Sequence, residues 1–126
     1  MAIIGIDSRP GHENLEAILD VDGIDGIFIG PNDMSTSLGI PDDYANQEYL
    51  AVLEDIIAKS EARGVPVMIH QQTIETSSTA IKLGARFVMH STDTGLLRSA
   101  APEQMNALRE VAGAASAQAR NKVETA

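Results

Sequence analysis

The sequence has no cysteine and no tryptophan, only four phenylalanines and tyrosines together, and nine basic residues against eighteen acidic ones. Each shortage excludes something. Without cysteine there are no disulfides, no zinc–thiolate sites and no thiol nucleophile. A net charge of −9 opposes broad nucleic-acid binding, which relies on basic patches, and is repelled by anionic membranes. No apolar run approaches the roughly 20 residues that cross a bilayer. The start, MAIIGIDSRP, has no basic stretch ahead of an apolar core and does not read as a secretory leader. These features predict a cytoplasmic protein. Its natural partners are small molecules, metal ions and other protein chains, with no nucleic acid and no membrane.

What is present is an alternation. Ala2–Asp7, Gly26–Gly30, Pro66–His70 and Arg86–His90 are short apolar runs that read as strands. Between them lie helix-like segments. Glu13–Asp20 carries Leu15, Ile18 and Leu19 at the spacing of one helix face. Asn46–Arg63 carries Leu50, Leu53, Ile56 and Ile57 and stops at Gly64. Thr73–Leu83 ends at Gly84, and Gly95–Ala114 is helical with Pro102 as a break or a new first turn. Residues 1–114 form one folded unit on this reading, and 115–126 a frayed, disordered or unpacked helical tail. The strands are nearly continuously apolar, which predicts burial on both faces. Strand–helix repeats imply a parallel sheet with helical crossovers. Two architectures fit: a small open doubly wound sheet, or half of a (β/α)8 barrel.

In parallel α/β folds ligands sit beyond the carboxyl ends of the strands. Here those ends are Asp7-Ser8-Arg9, Gly30-Pro31-Asn32-Asp33, His70-Gln71-Gln72 and His90-Ser91-Thr92-Asp93. Asp7 and Asp33 suit a hard divalent cation, or else cap the helices that follow. Gly30 allows close approach, and the amides of Asn32 and Asp33 suit a carboxylate or phosphate. His70 and His90 are candidate bases, or packing histidines that hydrogen-bond their neighbours. His12, at a helix start, reads as solvated. Arg9 can grip an anion or pair with a surface acid. No serine sits in a nucleophile elbow and no lysine ends a strand, which opposes serine hydrolysis and Schiff-base chemistry.

The segment Gly23-Ile24-Asp25-Gly26-Ile27-Phe28-Ile29-Gly30-Pro31-Asn32-Asp33-Met34-Ser35, continuing to Gly39, resembles the signature of the HpcH/HpaI aldolase/citrate lyase family. Ile6-Asp7-Ser8-Arg9 with Glu13-Asn14-Leu15, and Asp93-Thr94-Gly95-Leu96-Leu97, extend the likeness over roughly residues 2–112. The resemblance implies half of a TIM barrel, a (β/α)4 arc of the phosphoenolpyruvate/pyruvate superfamily matching strands five to eight. It also implies a metal-dependent class II aldolase that interconverts a 2-oxo-4-hydroxy acid with pyruvate and an aldehyde. By position, Asp7 and Asp33 would hold a Mg²⁺- or Mn²⁺-type ion. Gly30, Pro31, Asn32 and Asp33 would cradle the 2-oxo acid. The family pattern has Glu where Asp7 stands, one methylene longer. Its active-site arginine and histidine belong to the other half-barrel, leaving His70, His90 and Arg9 as candidates for those tasks. A homo-oligomer, or a complementing N-terminal half-barrel chain, follows as the expected partner.

Overall fold

The computed structural model describes the backbone of residues 1–124 and the side chains of residues 1–114. It divides into two units, Met1–Ser91 and Thr92–Ala126.

The first unit holds four parallel strands: β1 (Ile3–Gly5), β2 (Gly26–Ile29), β3 (Val67–Gln71) and β4 (Phe87–His90). They lie side by side in chain order, β1-β2-β3-β4. That order decides between the two architectures. A doubly wound sheet reverses direction at a switch point; a barrel segment steps steadily one way. This sheet is the barrel segment.

The intervening helices are α1 (Arg9–Glu13), α2 (Leu15–Leu19), α3 (Pro31–Ser37), α4 (Gln47–Ala62) and α5 (Ile74–Lys82). Right-handed crossovers between successive strands stepping in one direction put all of them on the same side of the sheet. Ile6, Ile27, Ile29, Val67 and Ile69 are buried on that side and share one core with Leu15, Leu53, Ile56 and Ala80. The register places Ile4 opposite Ile27 and Ile69 opposite Val88, so these residues line one face.

Alternation assigns the other residues to the opposite face: Ile3, Phe28, Met68, Phe87 and Met89. There the expectation of burial on both faces fails. Ile3, Phe87 and Met89 are exposed, Phe87 by 54%, and Phe28 and Met68 are half-buried. The physical reason is the one-sided crossover: four units supply a helical layer for the outside of the arc and none for its inside.

Other boundaries shift for local reasons. The helix expected over Glu13–Asp20 is two short helices meeting at Asn14, and the first takes in Pro10 and Gly11. Proline is accepted there because first-turn amides have no partner within the helix. Its N-cap is Ser8, whose Oγ accepts from the Gly11 amide. The Gly30–Ser35 stretch beyond β2 is helical from Pro31. Thr73 caps α5 in a reciprocal box with Thr76.

The second unit is α6 (Asp93–Glu124), whose first-turn Gly95 amide donates to Thr92 Oγ1 at 3.0 Å. Pro102 neither breaks it nor starts a new helix. A proline costs the helix the bond to the carbonyl four residues back. That carbonyl belongs to exposed Arg98, where water can serve it. Where a tail is expected over 115–126, the backbone stays helical to Glu124. Its side chains and residues 125–126 lie outside the described residues. Among the described residues no helix is long and apolar enough to cross a membrane.

Candidate functional site

Asp7 follows β1, and Asp33 lies in the first turn of α3, directly after β2. Gly30, the N-cap of α3, stands between them. A Cβ placed on Gly30 would lie 3.6 Å from Asp7 Cβ and 3.5 Å from Asp33 Oδ2. Asp7 Cβ and the Asp33 carboxylate therefore flank one small space that the glycine leaves open, while Asp7 Oδ2 lies 3.8 Å from a Cβ placed on Gly5. Neither carboxylate caps a helix: Ser8 caps α1, and α3 has no side-chain cap. Both aspartates are exposed, and among the described residues neither has a hydrogen bond or an ion pair. Some other acids are occupied: Glu48 by Arg9, Asp55 by His12 and Lys59, Glu61 by Arg86. Both carboxylates thus have free oxygens to offer a cation.

The turn beside them is braced. The first bonded amide of α3 is Met34, which donates to the Gly30 carbonyl at 3.0 Å. The amides of Asn32 and Asp33 precede it and have no carbonyl to reach within the helix. Ser35 is fully buried; its Oγ donates to the Asn32 carbonyl at 3.0 Å and accepts from the Asp42 amide at 3.2 Å. Tyr44 Oη sits 2.7 Å from Asn32 Oδ1 and 2.8 Å from Asp42 Oδ1. Burial, reinforced by the Asp42 carboxylate, pushes the Tyr44 phenol up to about 12. It stays protonated and keeps donating. Tyr44 and Ser35 escaped the sequence reading; the only signal was a polar Asp42-Asp43-Tyr44 run beyond the Gly39 turn.

The two histidines separate. The register sets His70 opposite Met89 and His90 opposite Gln71. His70 thus lies on the uncovered face, in the cross-strand row that continues through Gly30 to Asp7. His90 points to the helix side, where Nδ1 is 2.7 Å from Ser77 Oγ in α5. His90 is exposed and hydrogen-bonds this neighbour. His12 is not solvated: its Nε2 is 2.7 Å from Asp55 Oδ2, because α1 lies alongside α4. Arg9 also faces α4. Its guanidinium is 2.7 Å from Glu48 Oε1 and its amide donates to Ser37 Oγ. Asp7, Gly30, Asn32, Asp33 and His70 are brought together at one end of the sheet; His12, Arg9 and His90 are turned elsewhere.

The family model for HpcH/HpaI aldolase/citrate lyase matches residues 1–100. The chain belongs to the HpcH/HpaI aldolase/citrate lyase family. A 2-keto-3-deoxy-L-rhamnonate aldolase of Klebsiella pneumoniae is 41% identical over 98 residues, 78% of this chain and 37% of that protein. One from Escherichia coli is 34% identical over 103 residues, 82% of this chain and 39% of that protein. An HpcH/HpaI family structure from Burkholderia cenocepacia superposes with a TM-score of 0.80 at 25% identity, over 85% of this chain and 42% of that one. The HpcH/HpaI aldolase structure from Desulfitobacterium hafniense shares the fold, with a TM-score of 0.75 at 22% identity. The chain thus spans about two fifths of the length of these relatives.

Asp7 and the Gly30–Asp33 signature lie at the carboxyl ends of the adjacent strands β1 and β2. The donor set fits a hard divalent ion. Mg²⁺ is commonly held by one or two carboxylates, with water and substrate completing the octahedron. Among the described residues no group of three His, Cys, Asp or Glu side chains forms a fuller cage.

Proposed function

We propose that this chain supplies the cation- and 2-oxo-acid-binding half of a class II aldolase. The reaction joins pyruvate to an aldehyde, or cleaves the corresponding 2-oxo-4-hydroxy acid. The observation that carries this reading is that unpartnered Asp7 and Asp33 both border the space left open by Gly30. The names of the aldolase relatives support it.

A Mg²⁺- or Mn²⁺-type ion held by Asp7 and Asp33 would act as a Lewis acid toward the 2-oxo group. The chain's own residues have defined tasks around it. The amides of Asn32 and Asp33 receive the carboxylate of the acid. Tyr44 and Ser35 hold that turn in place. Asp7 reaches less far than the glutamate of the family pattern, so a water bridging Asp7 to the ion suits this site.

The barrel needs its other half. β1 and β4 are each paired on one side only. Exposed Ile3, Phe87 and Met89 mark an inner face that a second layer would cover. A second copy or a complementing N-terminal half-barrel chain is the proposed partner, and the cytoplasm the proposed location. The test is methyl proton exchange of pyruvate in D₂O with Mn²⁺, followed by NMR. Exchange is expected, with the chain alone or with strands one to four of a relative supplied. No exchange in either setting overturns the reading.

A non-catalytic binding half is favoured by one observation, the shorter carboxylate at position 7. It predicts Mn²⁺-dependent pyruvate binding without exchange.

A further inference from the structure

We infer that the cavity between α4 and α5 is a binding site for a small aliphatic amine that carries a second polar group. Three observations point there.

The first is the cavity itself. Its volume is about 500 Å³, within the range of small-molecule sites. Leu50 and Leu53 of α4, Thr76 and Thr79 of α5, and the Asp42–Ala45 segment enclose it. Gln71, the last residue of β3, forms its floor. Gln71 follows buried Ile69 by two residues, so its side chain is on the helix side of the sheet. Asp7, Gly30 and His70 lie on the other face.

The second is a polar floor without partners. Gln71 is 2% exposed, and among the described residues its side-chain amide makes no hydrogen bond. Tyr49 Oη is sealed from solvent and also lacks a partner, whereas the Gln71 amide is not fully sealed. The little surface that Gln71 keeps is therefore at its amide, and it meets the cavity. Burial pushes the Tyr49 phenol up, and the Gln71 amide beside it opposes this. Buried polar groups normally have partners, because leaving one unmet is costly.

The third is charge. Asp42, Asp43 and Glu75 line the cavity, and among the described residues no Lys, Arg or His does. Asp42 accepts a side-chain hydrogen bond only from Tyr44, and Asp43 only from Asn46. The Glu75 carboxylate has no hydrogen bond or ion pair among the described residues. An anion is repelled here and an ammonium attracted. The three acids do not gather closely enough to hold a metal ion. Between them and Gln71 lie Leu50, Leu53 and the rings of Tyr44 and Tyr49, packed edge to face with centroids 5.6 Å apart. These walls take a short carbon chain. The ammonium sits at the carboxylates and the second polar group at the Gln71 amide.

The experiment titrates the whole ¹⁵N-labelled chain with 1,4-diaminobutane at fixed ionic strength, read by NMR. The expected result is saturable movement of the Gln71 side-chain amide and of the Thr76 and Thr79 backbone signals. Butane-1,4-diol and succinate should bind at least about tenfold more weakly, the first for want of charge and the second for its sign. Gln71→Leu should weaken diaminobutane by about tenfold, and Glu75→Gln by about threefold. Without ligand, Gln71→Leu should melt no lower than the wild type, because it removes a buried polar group that has no partner. No saturable movement with diaminobutane overturns the inference. Unchanged affinity in Gln71→Leu also overturns it, and marks the binding as attraction to an acidic surface only. Should Gln71→Leu fail to fold, unchanged affinity in both Tyr49→Phe and Glu75→Gln overturns it instead.

Discussion

The two faces of this sheet are made of similar residues and do different work. Ile27, Ile29, Val67 and Ile69 are 1% exposed or less, locked against α2, α4 and α5. Ile3, Phe28, Met68, Phe87 and Met89 on the reverse are half-buried or exposed. Only the uncovered face carries the row Asp7, Gly30 and His70. The contrast teaches that the half-barrel's core and its candidate site reside on opposite sides. One side can be damaged without the other.

The largest expected effect breaks the covered face. Ile69→Ala should cost about 2–5 kcal/mol in urea unfolding, the range for a buried large-to-small change. Met68→Ala, its neighbour on the reverse, should cost less than about 1 kcal/mol at low protein concentration. A Met68→Ala cost that matches Ile69→Ala would mean the inner face is covered in solution by a partner. That result would turn the comparison into a measure of association.

Next comes Gly30→Leu. Backbone conformation does not require glycine here, since φ is −87°. The added side chain would enter the space between Asp7 and Asp33. The variant should fold and lose Mn²⁺ binding by about tenfold or more. Retained binding would separate the cation from this space.

A smaller effect is expected for Tyr44→Phe. Loss of the phenol that braces Asn32 should cost about 1 kcal/mol, read by thermal melting. It should weaken pyruvate binding more than Mn²⁺ binding, because the brace touches the turn and not the carboxylates.

The smallest effect is away from both faces. Asp55 is opposed by its own desolvation, but hydrogen bonds from Lys59 and His12 outweigh this and lower its pKa. A lowered folded-state value contributes stability above the ordinary aspartate value, lost as pH falls through the lowered one. Asp55→Asn should therefore flatten the stability profile below about pH 4. The pair is partly exposed, so the change should stay below about 1 kcal/mol. The partner Lys59 is raised by Asp55, and its contribution is lost only as pH rises above the ordinary lysine range.

Much of this was legible in the residues. Four apolar runs separated by helix-period segments gave the parallel sheet, and the strand-end rule named Asp7, Asp33 and His70 as candidates. What was not legible needs register. His70 and His90 both end apolar strands, and only pairing with Met89 and Gln71 sends them to opposite faces. The His12–Asp55 contact joins residues 43 apart, beyond any local pattern. Burial on one face was missed because apolar content reports a strand's preference for cover, not whether four units can supply it. Pro102 was misjudged because local propensity weighs a missing hydrogen bond and not the water that replaces it.

The central claim is that Asp7 and Asp33 act together on one cation. Mn²⁺ titration followed by electron paramagnetic resonance, with circular dichroism as the check on folding, tests it directly. The account predicts one saturable site that Mg²⁺ displaces, lost in both Asp7→Asn and Asp33→Asn, with folding retained. Saturable binding that survives in both variants, or none in the wild type, would contradict it.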